Sequence, residues 1–407
     1  MSKSIKVGFS IKGLYQYYHM IRPIIEANDR ENIDFYIFHA NKFYRYHTGN
    51  IEITDATLVN LVGTGIVVKK IKETNLDYMI IFNPGQIFDV FITAICKENN
   101  IKTIYYQHGL SLDFGSFGIK SIQQGKSVSD RILSLRRYLF FYRVMIYNIF
   151  LVKHKKRLLK LLTKRSKQVL FNFGNADYPK YGLKEFHCDI GLVFGQKDKK
   201  YLTTSNGFKE KDVVVGGYPL LKSSGQDNDL PAGYVLYLSS GLLTSKVIPI
   251  TKVEEREFYV NLAKKVIDSD NNLVIKLHPT ENFELFKDYI KDFDKAIVFK
   301  NYNLSDIVER ANLVIGDYST ALFYPIKHLK PLLLLQSEFF EKYPFDYSDY
   351  GIGQKVNFNE LDHSLANPPE VNEKNYSDFM LEFISNEQGI DSNEVLYNQI
   401  FSQKNEI

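Results

Sequence analysis

Short β-rich runs alternate with helix-length amphipathic stretches, and along 407 residues this alternation starts twice. Strands spaced by single helices pair in parallel, because a crossover helix returns the chain to the same sheet edge. In the first half, strands are predicted at 5–11, 33–40, 76–82 and 101–107, with further candidates at 168–173, 189–194 and 212–217. Amphipathic helices are predicted at 14–27 and 88–98. A polar segment with Gly and Pro near its ends, 223–233, reads as a linker. The pattern then restarts: strands at 234–240, 272–278, 296–300, 312–317 and 331–336, helices at 254–269, 305–311 and from Ser319. The stretch after Asn375 reads as helical. The expected fold class is α/β with two Rossmann-like domains facing a cleft. Their spans are 1–224 and 232–375, and helices in 376–407 are placed to pack back across the cleft. No repeat of solenoid period is present.

Composition narrows the class. Hydrophobic residues make up 44% and charged residues 24%, a globular balance. The two cysteines, Cys96 and Cys188, match no metal-ligand spacing and fit a reducing compartment. The first residues read directly as a strand, and no apolar run reaches 18 residues, so a soluble or peripheral protein inside the cell is expected. The net charge of +4 is unevenly spread: residues 131–167 hold twelve Lys and Arg and no Asp or Glu, so the remainder is acidic on balance. This stretch reads as a basic helical insertion in the first domain. Its cations include Arg136, Arg137, Arg143, Lys155, Lys156 and Arg157, interleaved with aromatic residues. The expected partner is an anionic membrane surface or a polyanion, not nucleic acid. The competing reading is a pair of amphipathic helices with core-facing apolar sides and solvated charges.

Ligands of open α/β sheets bind beyond the carboxyl ends of strands, and the chemistry-bearing clusters fall there. Gln107-His108-Gly109 follows the 101–107 strand. His108 there suits a general base on an acceptor hydroxyl, or is a loop histidine satisfied by a carbonyl. Gln107, Gly109 and Gly13 are the candidate acceptor-side positions, where a glycine permits close approach. Lys276-Leu277-His278-Pro279-Thr280-Glu281 ends a strand: His278 suits a phosphate oxygen and Glu281 suits ribose hydroxyls, or the pair is a proline-terminated strand tip. Gly316-Asp317-Tyr318-Ser319-Thr320 links strand to helix, where hydroxyls and unpaired N–H groups hold phosphate. Asp317 or Ser319 serves equally as a plain N-cap there. Ser239 and Ser240, before Gly241, are further donor-site candidates, and Gly216-Gly217-Tyr218-Pro219 reads as an interdomain turn. The triplets Asp227-Asn228-Asp229 and Asp292-Phe293-Asp294 read as solvated charge, and no metal site is expected.

Taken in order, QHG, KLHP and GDYST resemble the motifs of bacterial CDP-glycerol glycerophosphotransferases, with Gln107 in place of a Trp and Thr320 in place of a Ser. The His-Pro and Ser/Thr elements are similar, more loosely, to those of bacterial sialyl- and polysialyltransferases that use CMP-sugars. The acidic motif of the sialyltransferases is not evident. The resemblance implies a GT-B transferase of capsule, teichoic acid or related cell-envelope glycans, using a nucleotide-activated donor of cytidine type. It implies His108 as base and His278, Ser319 and Thr320 as donor-phosphate ligands, with Glu281 near the ribose. It implies no obligatory metal or other cofactor. The acceptor is expected to be a glycan or lipid-linked hydroxyl, and the place of action the inner face of the cell membrane. A donor-only epimerase or hydrolase, or a non-catalytic scaffold, are the readings that compete with it.

Overall fold

The structure is a computed structural model. It describes residues 4–11, 13–14, 17–28, 32–40, 53–61, 67–82, 87–107, 139, 142–171, 187–205, 207–219, 230–231, 233–241, 251–278, 281–300, 302–317, 319–336, 346–386 and 392–402. Each alternation becomes one all-parallel sheet. The first holds β1 (Ile5–Ile11), β2 (Ile33–His39), β3 (Thr57–Asn60), β4 (Tyr78–Ile81), β5 (Lys102–Tyr106), β6 (Ile190–Val193) and β7 (Val213–Val215). Their order is β3-β2-β1-β4-β5-β6-β7. The second holds β8 (Tyr234–Leu238), β9 (Leu273–Lys276), β10 (Ala296–Phe299), β11 (Ala311–Gly316), β12 (Leu332–Gln336) and β13 (Gln354–Asn357). Their order is β10-β9-β8-β11-β12-β13. In both sheets the order reverses at the first strand, so crevices open at the carboxyl ends of β1/β4 and of β8/β11.

The strands are near-continuous apolar runs because both sheet faces are covered. Every residue of β4, β6 and β8 is buried. Alternate side chains feed opposite cores: Tyr78 and Ile80 join Val7, Phe9 and Ile104 on one face. Met79 and Ile81 join Tyr105, Val193 and the helix Ile87–Glu98 on the other. In the second unit, Tyr259, Leu262, Ala263 and Val266 of the helix Lys252–Asp268 cover Tyr237, Ile275 and Ile315. A reciprocal capping box between Thr251 and Glu254 starts that helix.

The described residues up to Pro219 and from Ser385 onward form one compact unit, and those from Leu230 to Ile384 the other. The first unit's main run thus ends at the Gly216–Pro219 turn, where Gly217 takes a φ of +86°; residues 223–229 and 232 of the expected linker 223–233 lie outside the described residues. The helix Glu373–Phe383 belongs to the second unit, whereas Ser392–Ser402 lies in the core of the first. There Leu396, Tyr397 and Ile400 are buried among β1, β2 and β4. Tyr78 Oη donates to the Ile400 carbonyl at 2.8 Å, and Asn386 Nδ2 to that of Gly216 at 3.0 Å.

Three sequence expectations change. The predicted strand 168–173 is, through Phe171, the end of the helix Lys155–Phe171. The Leu158, Leu161, Leu162 spacing seats that helix on the core, and the good helix formers Lys, Arg and Gln carry it onward. The expected helix 14–27 is, where described, a π-type turn Tyr17–Ile21 followed by a short helix Arg22–Glu26 with Pro23 in its first turn. Two edge strands, β3 and β13, were not anticipated.

Candidate active site

The densest polar constellation lies where the second sheet's order reverses. β8 leads into Ser239-Ser240-Gly241, its neighbour β9 into Leu277-His278, and its other neighbour β11 into Asp317. Ser240 Oγ donates to Asp317 Oδ2 at 2.7 Å, joining the ends of the two strands that flank the reversal. Ser239 Oγ donates to Glu281 Oε1 at 2.8 Å and accepts from the Gly241 amide at 3.2 Å. The second Glu281 oxygen accepts from the His278 amide at 2.6 Å. Tyr259 Oη lies 3.3 Å from Ser239 Oγ behind this layer.

Gly241 is required twice over. Its φ is +69°, and a Cβ there would stand 2.8 Å from Cγ of His278. The imidazole therefore lies directly against the Gly241 backbone. Burial, followed by the charges of Lys276 and Lys300, lowers its pKa to about 4. At neutral pH His278 is thus an uncharged imidazole that donates one N–H. Among the described residues, Lys276 and Lys300 are the cations that act on the imidazole. Lys276 is brought down to about 8, chiefly by burial, and its Nζ donates to the Leu277 carbonyl at 2.9 Å. Lys300, at the carboxyl end of β10, donates to the Glu281 carbonyl at 2.7 Å and so ties down the turn.

Two placements correct the sequence reading. Glu281 does not project from a strand tip: it is 1% exposed and both carboxylate oxygens are engaged inside the unit. It braces β8 against the turn after β9, because two buried donors need an acceptor there. Gln107 is likewise 1% exposed and does not line a cleft. Its amide receives Phe194 N at 2.8 Å and donates to Asp198 at 2.9 Å, locking the end of β5 to that of β6. Gly13 is buried just past β1. His108, Gly109, Pro279, Thr280 and Tyr318 lie outside the described residues, as do Arg136 and Arg137.

Ser319 is an N-cap, accepting from Ala321 N at 3.2 Å ahead of the 3-10 turn Thr320–Leu322. Only the five-residue helix Phe323–Lys327 follows, too short to contribute a sizeable dipole. Ser319 and Thr320 are both half-buried. Lys276 and Lys300 were given no role by sequence reading; a Lys closing AIVFK at a strand's carboxyl end was the available signal. In the first unit, Ser10 Oγ donates to Asp89 Oδ1 at 2.9 Å, an equivalent buried bridge at the β1/β4 reversal that no motif announced.

The basic stretch has a buried apolar side and an exposed basic and aromatic side. Met145, Ile149, Val152, Leu158, Leu161 and Leu162 are core. Arg143, Lys155, Lys156 and Arg157 are exposed, and beside them Tyr147, Phe150 and Leu151 are each at least half exposed. Among the described residues no helix is long and apolar enough to cross a membrane. Asp292 and Asp294 are exposed.

A family model for alpha-2,8-polysialyltransferases (POLYST) matches residues 57–330, well over half of the chain. The chain belongs to the alpha-2,8-polysialyltransferase family. Of the two families the motifs resemble, the matching one is that of the looser resemblance. No curated protein matches. Solved structures are similar over the full length. The wall teichoic acid polymerase TagF gives a TM-score of 0.58 at 13% identity, covering 98% of this chain and 90% of that one. S. aureus MnaA with UDP gives 0.52 at 13% identity, covering 100% and 98%. The glycotransferase of kitacinnamycin gives 0.52 at 13% identity, covering 98% and 100%. Fold and family together make the chain a glycosyltransferase of GT-B architecture, with two Rossmann-like units.

Proposed function

We propose that this polysialyltransferase-family chain moves a sugar from a cytidine-nucleotide donor to a hydroxyl of a growing cell-surface glycan. The observation that carries the reading is the linked set Ser239, Ser240, His278, Glu281 and Asp317 at the β8/β11 reversal, the place where open α/β sheets receive nucleotides. The family's own description favours a sialyl group and hence CMP as the leaving group. A CDP-polyol donor is the second reading, favoured by the KLHP and GDYST motifs and by the fold shared with TagF.

In this scheme the donor phosphate lies against His278, Ser319 and Thr320. The neutral imidazole and the two hydroxyls donate hydrogen bonds, while Lys276 and Lys300 supply positive potential to the departing nucleotide. Those cations take the part that a divalent ion plays elsewhere, so no obligatory metal is proposed. An acceptor hydroxyl attacks the sugar's anomeric carbon, the carbon–oxygen bond to the phosphate breaks, and the hydroxyl proton passes to His108 as general base. The acceptor is a glycan or lipid-linked chain. The exposed cations Arg143, Lys155, Lys156 and Arg157 hold the enzyme at the inner, anionic face of the membrane.

The test is thermal stabilisation by CMP, CDP, UDP and GDP, followed by transfer assays with CMP-sialic acid and CDP-glycerol. Stabilisation by one cytidine nucleotide, lost in His278→Ala, is expected. His108→Ala is expected to keep donor binding and lose transfer. Donor consumed equally well without acceptor would instead indicate an epimerase or hydrolase. No shift with any nucleotide would leave a non-catalytic scaffold.

A further inference from the structure

Only one of the two Asp317 carboxyl oxygens has a partner. Oδ2 accepts from Ser240 Oγ at 2.7 Å, whereas Oδ1 is buried without a hydrogen-bonding partner. The residue is 7% exposed and directly follows β11 at the reversal of strand order, beside the turn that carries Ser319. A buried oxygen with no partner calls for an explanation, and in a ligand site the simplest is the ligand itself. The groups around it decide the chemistry. β8 and the residues just after it present Tyr237 and Ser240, the helix Lys252–Asp268 presents Tyr259, and the turn after β9 presents Glu281, whose charge opposes a second carboxylate. An ionised Asp317 here would repel a phosphate as well as Glu281.

We propose that Asp317 acts at the donor site as a neutral carboxylic acid, its Oδ1–H donating to a phosphoryl oxygen of the nucleotide while Oδ2 accepts from Ser240. The proposal rests on the reading of this reversal as the nucleotide site. Burial, reinforced by Glu281 and opposed by the Ser240 hydroxyl, raises the Asp317 carboxyl to about 7 in the unliganded protein. Donor binding therefore takes up a proton above neutrality, and the site releases nucleotide as pH rises.

Isothermal titration of the full chain with CMP and with CDP, from pH 6 to 9 in two buffers of different ionisation enthalpy, tests this. Wild-type affinity is expected to fall by up to tenfold per pH unit above about 7, with proton uptake approaching one. Asp317→Asn imitates the neutral acid and is expected to bind as tightly as wild type at pH 6 and to lose the fall above 7. The phosphate's own titration near pH 6 is common to both proteins and cancels in the comparison. Ser240→Ala removes a donor that favours the carboxylate, so its break moves to higher pH. Identical pH profiles for wild type and Asp317→Asn overturn the assignment. So does a folded Asp317→Asn, shown by an unchanged melt, that fails to bind at pH 6. Wild type that binds neither nucleotide at any pH overturns instead the donor-site reading on which this rests.

Discussion

Replacing Glu281 separates a brace from a ligand. Its carboxylate is the shared acceptor for two donors from different segments, Ser239 Oγ at 2.8 Å and the His278 amide at 2.6 Å, and it is 1% exposed. Glu281→Ala leaves both donors without an acceptor. Each orphaned buried donor costs about 1–3 kcal/mol, so the loss in unfolding free energy is about 2–6 kcal/mol. Glu281→Gln keeps the shape and one acceptor oxygen but turns an NH2 toward a donor, so about half of that loss is expected. The assay is denaturant unfolding without nucleotide, read by far-ultraviolet circular dichroism, beside CMP and CDP affinity. Both variants should lose stability with the site empty, with affinity falling as a consequence because His278 is released. A ribose ligand would behave differently: stability unchanged in Glu281→Gln, affinity alone reduced. That outcome would refute the bracing argument.

Other outcomes follow from the same geometry. Gly241→Ala places a methyl 2.8 Å from the His278 ring at a φ of +69°; a loss of about 1–3 kcal/mol in stability and at least tenfold in nucleotide affinity is expected by unfolding and titration. His278 and Asp317 pull the pH dependence of stability in opposite directions. The imidazole at about 4 makes stability rise with pH from about 4 to 6.5, since the unfolded chain binds the extra proton there. The carboxyl at about 7 makes stability fall from about 4 to 7, since the folded chain keeps its proton. Unfolding curves across this window should therefore gain a positive slope relative to wild type in Asp317→Asn, spanning about 4 kcal/mol, and a negative one in His278→Asn, spanning about 3 kcal/mol. For the basic stretch, Tyr147→Ser with Phe150→Ser should weaken flotation with anionic vesicles several-fold while leaving the melt unchanged, because both rings are more than half exposed.

The two-sheet plan was legible because strands buried on both faces must be apolar throughout, as in YMII and LLLL. The edge strands TLVN and QKVN escaped notice because an edge buries less and tolerates polar residues. Of the site, sequence reading placed Ser239, Ser240, His278 and Asp317 at strand ends, and the sheet order brings them together. The Ser240–Asp317 bond spans 77 residues and depends on β8 lying beside β11, which no local pattern encodes. Gln107 and Glu281 mislead for a shared reason. A polar residue at a strand's carboxyl end looks the same whether it faces a ligand or satisfies amides of its neighbours, and only burial distinguishes the two.

The seat of the helix Ser392–Ser402 sets an order on the birth of the protein. Leu396, Tyr397 and Ile400 complete a face of the first sheet, yet that sheet's last strand ends at Val215. During synthesis the ribosome must add the whole second unit before those side chains emerge, roughly ten to forty seconds at ordinary elongation rates. Through that interval Ile5, Val7, Phe9 and Tyr78 await their cover, so the unit made first is the unit finished last. A nascent chain stalled after the first sheet and before residue 392 would present an apolar sheet face to chaperones.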